Sequence, residues 1–167
     1  MKAVVLLSAL LSLPVLAAEP SLYGRYEYLQ LAELGKTLKA KMDTGAYTAS
    51  LSARDIERFK REGEEWVRFR LAADGADDTL YEHRLARISK IKNRADEGDD
   101  DPAAADVSKR PVIDLQLCLG HELRTVEVNL ADRSSFNYPL LIGAKALREF
   151  NAAIDPAKRF TAGKPAC

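Results

Sequence analysis

The sequence predicts a single all-β, barrel-like domain with one or two short helices. Three observations carry this reading. Short stretches with apolar residues at every second position recur along the chain, turn-forming residues separate them, and only two short windows carry helix signals. No internal repeat is visible.

The elements follow in order. Tyr23 to Leu31 reads as a tyrosine-rich first strand, and Glu33-Leu34-Gly35 turns the chain. Leu38, Ala40 and Met42 then alternate with lysines, a strand with one apolar face that ends at Asp43. Ser52-Ala53-Arg54-Asp55 resembles a capping box, so a short helix is expected there. Ile56 and Phe59 would form its apolar face, Glu57 and Arg61 would pair one turn apart, and Gly63 would close it. Trp66 to Leu71 alternates, with Val67, Phe69 and Leu71 on one side, and Asp74-Gly75 marks the following turn. Tyr81 to Ile91 reads as one further strand. Residues 93–109 carry Asp96-Glu97-Gly98-Asp99-Asp100-Asp101 and almost no apolar bulk, which reads as a long acidic loop. Beyond it, Ile113, Leu115, Leu117 and Leu119 share a face, Gly120-His121 turns the chain, and Val126, Val128 and Leu130 continue the core. Leu140-Leu141-Ile142-Gly143 is a buried strand that stops at a glycine and passes into a short helix at Ala144-Lys145-Ala146-Leu147.

The first 18 residues read as a signal peptide. Lys2 is the positive start, Ala3 to Leu13 the apolar core, and Val15-Leu16-Ala17 or Leu16-Ala17-Ala18 the small-residue exit. The competing reading is a retained anchor, but the apolar run is short for a spanning helix, and no other segment could cross a bilayer. Export to a bacterial periplasm or beyond is therefore expected, leaving residues 19–167 as one domain with a real core. Acids and bases balance at 25 each, and no basic stripe points to nucleic acid. Cys118 and Cys167 could pair in an oxidising compartment; alternatively Cys118 is buried and Cys167 carries a free thiol or links two chains.

Chemistry concentrates at Met42-Asp43-Thr44-Gly45-Ala46. A carboxylate on a tight turn past a buried strand can be held rigidly and aimed at a cleft. Thr44 offers a hydroxyl to lock the turn, and Gly45 lets another backbone approach. Together with Leu141-Ile142-Gly143, the kind of segment that braces a catalytic loop, this stretch resembles the retropepsins, single-lobed aspartic peptidases. The wider chain resembles a bacterial retropepsin-like family often labelled ATP-dependent zinc proteases. The resemblance rests on residues 40–46, Leu51-Ser52-Ala53 with Ile56 and Phe59, Trp66-Val67-Arg68-Phe69, Arg110-Pro111-Val112, Asp132-Arg133 and Tyr138 to Gly143. One departure is Ala144, where a basic residue is expected directly after the glycine; Lys145 comes next.

The resemblance implies a pepsin-like closed barrel and an aspartic endopeptidase acting on peptides or proteins. Two facing carboxylates share one proton around a water, so that one acts as base while the other donates. The chain has one Asp-Thr-Gly, so a homodimer must place Asp43 of each subunit at a two-fold axis, with Thr44 bonding across it. Ala46 has no hydroxyl to favour the ionised dyad, which predicts activity at mildly acidic to near-neutral pH. Asp132-Arg133 reads as a turn ion pair that orders a loop near the cleft. By chain order, residues 93–109 lie in the hairpin leading to an active-site flap, and an acidic flap would favour cationic substrates. Relatives are linked with ligases that add glutamate, a substrate class the acidic loop opposes.

Neither zinc nor ATP finds support in the residues, and no cofactor is expected. There is no His-Glu-x-x-His and no phosphate-cradling Gly-rich loop. Cys118-Leu119-Gly120-His121 has ligand-like spacing without a third ligand, and His83 is the only other histidine. The alternative function is a non-catalytic module whose pepsin-like lobe holds a peptide or partner without cutting it.

Overall fold

A computed structural model describes residues 19–92 and 107–167. The leader reading and nearly all of the acidic loop fall outside the described residues. Six strands close into a mixed barrel: β2 (Tyr26–Leu31), β3 (Lys36–Asp43), β4 (Ala49–Arg61), β8 (Val107–Leu119), β9 (Glu122–Ala131) and β10 (Leu140–Gly143). Short β10 is the closing stave, parallel to β3 on one side and antiparallel to β4 on the other. β1 (Ser21–Gly24) lies outside the ring, as do β5 (Glu64–Leu71), β6 (Tyr81–Arg84), β7 (Arg87–Lys92) and β11 (Ala152–Asp155).

Alternation fixes what faces inward. Leu29 and Leu31, Ala40 and Met42, the odd leucines of β8, and Val126, Val128 and Leu130 all point into one core with Phe69 and Phe150. The one α-helix among the described residues, α1 (Ala144–Glu149), buries Ala146 and Leu147 against it.

Residues 52–61 are strand, not helix. Ala49–Ala53 are all buried because β9 and β10 flank them, and beyond a bulge at Asp55 (φ 54°) the strand leaves the barrel and pairs with β5 alone. Glu62 and Gly63, at φ 53° and 83°, make the two-residue turn that right-handed strand twist favours. Phe59 therefore faces Trp66 across the ladder instead of sharing a helical face with Ile56. Tyr81–Ile91 is likewise two strands: β6 extends β5, and Leu85-Ala86 carries the chain over to β8, which β7 joins. Val107–Lys109, expected in the acidic loop, begin β8.

The C-terminal tail is tied down chemically. Cys118 and Cys167 form a disulfide with Cα atoms 6.0 Å apart. Glu27, fully buried, accepts hydrogen bonds from the amides of Gly24, Thr161 and Ala162 and from the Thr161 hydroxyl. A buried carboxylate stays soluble in the core only with such donors. No helix among the described residues is long and apolar enough to cross a membrane.

Candidate active site

Asp43 is the last residue of β3, and its register partner across the parallel ladder is Gly143. Its side chain is 23% exposed. Oδ1 accepts the Gly45 amide at 3.0 Å, and Oδ2 lies 3.0 Å from Lys41 Nζ. Burial raises the Asp43 pKa, but the Lys41 and Gly45 hydrogen bonds, the Lys41 charge and the Ala46 amide outweigh it, and the net shift is downward. Within one chain Asp43 is thus an anchored anion.

The turn is locked by the Gly45 amide rather than by the hydroxyl of Thr44, which is exposed and makes no hydrogen bond among the described residues. At Gly45 no other backbone of the described residues comes close: a Cβ there would meet only Asp43 Oδ1, at 3.4 Å. Close approach occurs at Gly143 instead. A Cβ on Gly143 would sit 2.8 Å from Ala46 O and from the carbonyl carbons of Tyr47 and Thr48. The amides of Ala144 and Lys145 then donate to Ala46 O and Tyr47 O at 2.7 and 3.0 Å. Bracing runs through backbone, so Ala144 in place of a basic residue leaves it intact. Ile142 is fully buried beneath, and Leu141 edges the cleft.

A cleft of about 690 Å³ opens beside this loop, walled in part by the paired strands β7 and β8. Its charged lining is mostly cationic: Arg87, Lys90, Arg110, Arg133 and Lys145, against the single acid Glu127. Glu127 is already shared by Arg87 at 2.6 Å and Lys145 at 3.1 Å, and these bonds hold its carboxyl below the usual range. A second hollow of about 330 Å³ joins Asp43 to Arg133, and Asp43 is the one carboxylate among the described residues that line it.

Asp132 and Arg133 are not a turn ion pair. Asp132 Oδ1 accepts the Ser134 amide at 2.9 Å, while Arg133 turns inward until it is only 9% exposed. Sequence reading missed this because adjacent opposite charges in a loop look self-satisfied.

Cys118 is spent in the disulfide, and His121 Nδ1 lies 3.4 Å from Ala166 O. Among the described residues no group of three His, Cys, Asp or Glu side chains could hold a metal.

A family model described as RimB-like, retropepsin-like aspartic endopeptidase RimB, matches residues 22–165. Among curated proteins, a probable alpha-L-glutamate ligase of Shewanella halifaxensis is 32% identical over 147 residues, covering 84% of this chain. One of Desulfotalea psychrophila is 31% identical over 145 residues. The chain spans only 30% and 29% of the length of these ligases. A crystal structure of a Legionella pneumophila protein of unknown function superposes with a TM-score of 0.69 at 37% identity, covering 85% of this chain and 98% of that one. The chain belongs to the RimB-like family of retropepsin-like aspartic endopeptidases.

Proposed function

We propose that the chain is an exported aspartic endopeptidase that acts as a homodimer, one Asp43 coming from each subunit. The observation that carries this is Asp43 itself: a partly exposed carboxylate on a turn braced by Gly143 to Lys145, lining the hollow that it shares with Arg133. In the dimer two such carboxylates cannot both ionise, so they hold one proton between them. The ionised one removes a proton from water, whose oxygen attacks the peptide carbonyl. The protonated one donates to the carbonyl oxygen. Collapse of the tetrahedral species breaks the C–N bond, and the amine leaves with a proton. Two termini result, and no cofactor takes part.

The ligase name belongs to proteins nearly three times this length, and the segment matched here carries the endopeptidase model. Both names concern the amide bond, so glutamate-containing peptides are the first substrates to try. The cations lining the described cleft support that choice, against the expectation drawn from the acidic loop. Export is supported by the leader-like first 18 residues and by a disulfide suited to an oxidising compartment.

The dimer is tested by titrating active protein with Asp43→Asn protein after co-refolding. A shared dyad makes activity fall as the square of the active fraction. A linear fall contradicts a shared site.

A further inference from the structure

Buried guanidinium groups are normally paired, because an unbonded donor away from water costs roughly 1–3 kcal/mol. Among the described residues Arg133 is the exception. Its Nε is buried with no hydrogen-bond partner among the described residues. The acid beside it in sequence, Asp132, is turned to Ser134. Asp43 is close enough to be felt electrostatically, yet forms no ion pair with it. Its strongest charged neighbour is Arg110, another cation. The group is nevertheless well held. Its amide donates to Ser52 Oγ at 3.2 Å, its carbonyl accepts the Phe136 amide at 2.8 Å, and its guanidinium lies 4.5 Å from the Phe136 ring centre. It lines both the cationic cleft and the hollow that contains Asp43.

We propose that Arg133 is the specificity-determining residue of this cleft, a preorganised receptor for a carboxylate of the peptide substrate. This rests on the endopeptidase reading above and adds the residue that selects the substrate. An arginine fork matches a carboxylate with two parallel hydrogen bonds and rejects the neutral isostere, which cannot supply the charge. Arg110 and Lys90 extend the positive field along the same wall, and among the described residues no acid there is free to compete, since Glu127 is already doubly paired. The carboxylate can be a glutamate side chain or a free peptide C-terminus; the chemistry is shared.

The test uses matched peptides that differ only by Glu against Gln near the cleaved bond, each with a free or an amidated C-terminus. The wild-type chain, Arg133→Gln, Arg133→Lys and the charge-matched control Arg124→Gln are compared. The wild type should favour one carboxylate form, and which pair shows the preference identifies the carboxylate. Arg133→Gln should shrink that kcat/KM ratio roughly 10- to 150-fold, the range for a charged hydrogen bond. Arg133→Lys should retain part of it, and Arg124→Gln all of it. If Arg133→Gln does not fold, Arg133→Lys decides by the same ratio. A wild type indifferent to both changes, or a ratio unmoved in a folded Arg133 variant, overturns the proposal. If no peptide is cut, the endopeptidase reading fails separately. Calorimetric binding of the same peptides to wild type and Arg133→Lys then decides, with loss of carboxylate preference supporting the role of Arg133 and equal binding overturning it.

Discussion

Gly143 stands opposite Asp43 in the parallel register of β3 and β10, and the backbone of Ala46 to Thr48 occupies the space its side chain would need. The aspartate and the glycine are two halves of one device. Gly143→Ala must push the Asp43 turn outward, since the obstructing atoms are backbone. We expect a loss of about 1–3 kcal/mol in urea unfolding, and cleavage slowed on the order of 100-fold by the displaced turn. Unchanged stability and rate would show that the loop yields freely.

Lys41 holds Asp43 anionic in the single chain, whereas Ala46 withholds a hydroxyl that would do the same. Lys41→Met should therefore raise the lower apparent pKa of the dyad and move the acid limb of kcat/KM to higher pH. A pH profile identical to wild type would mean that dimerisation draws Lys41 away from the carboxylate.

His83 packs beside Phe69 with ring centres 6.0 Å apart, and burial lowers its pKa against the opposing pull of Glu33. Above about pH 6.5, the model histidine value, folded and unfolded chains both carry it neutral. As pH falls below that value the unfolded chain takes up the proton first, so stability declines until the folded-state pKa is passed. Denaturation midpoints measured from pH 7.5 to about 5 should show this decline, and His83→Gln should flatten it. An equal slope in the variant would assign the decline elsewhere.

The Cys118–Cys167 bond pins a tail whose Thr161 and Ala162 amides cap buried Glu27. Reduction, or Cys167→Ser, should cost on the order of 2–4 kcal/mol and speed hydrogen exchange at those two amides. Unaltered exchange would mean that Glu27 alone holds the tail.

The barrel was readable because its strands alternate cleanly: the β3, β8 and β9 patterns each put one apolar face inward, and β5 outside the ring adds its own to the same core. Asp43 and Leu141-Ile142-Gly143 were readable because both turns are local in sequence. Two other features were not. Ser52 to Gly63 carries local signals that a helix and a bulged hairpin share, and only pairing with β5 decides between them. Arg133 was read as half of an ion pair because its burial depends on contacts from Ser52, distant in sequence, and on the ring of Phe136. Sequence shows which residues can ionise; the fold decides which of them water still reaches.

The most direct measurement is mass-spectrometric digestion of a diverse peptide mixture by the purified protein beside its Asp43→Asn variant, from about pH 3 to 8, a range that brackets aspartic dyads. The account predicts cleavage at mildly acidic to near-neutral pH that disappears in the variant while its fold is unchanged. Cleavage that survives in Asp43→Asn, or no cleavage by folded wild type at any pH, would contradict it.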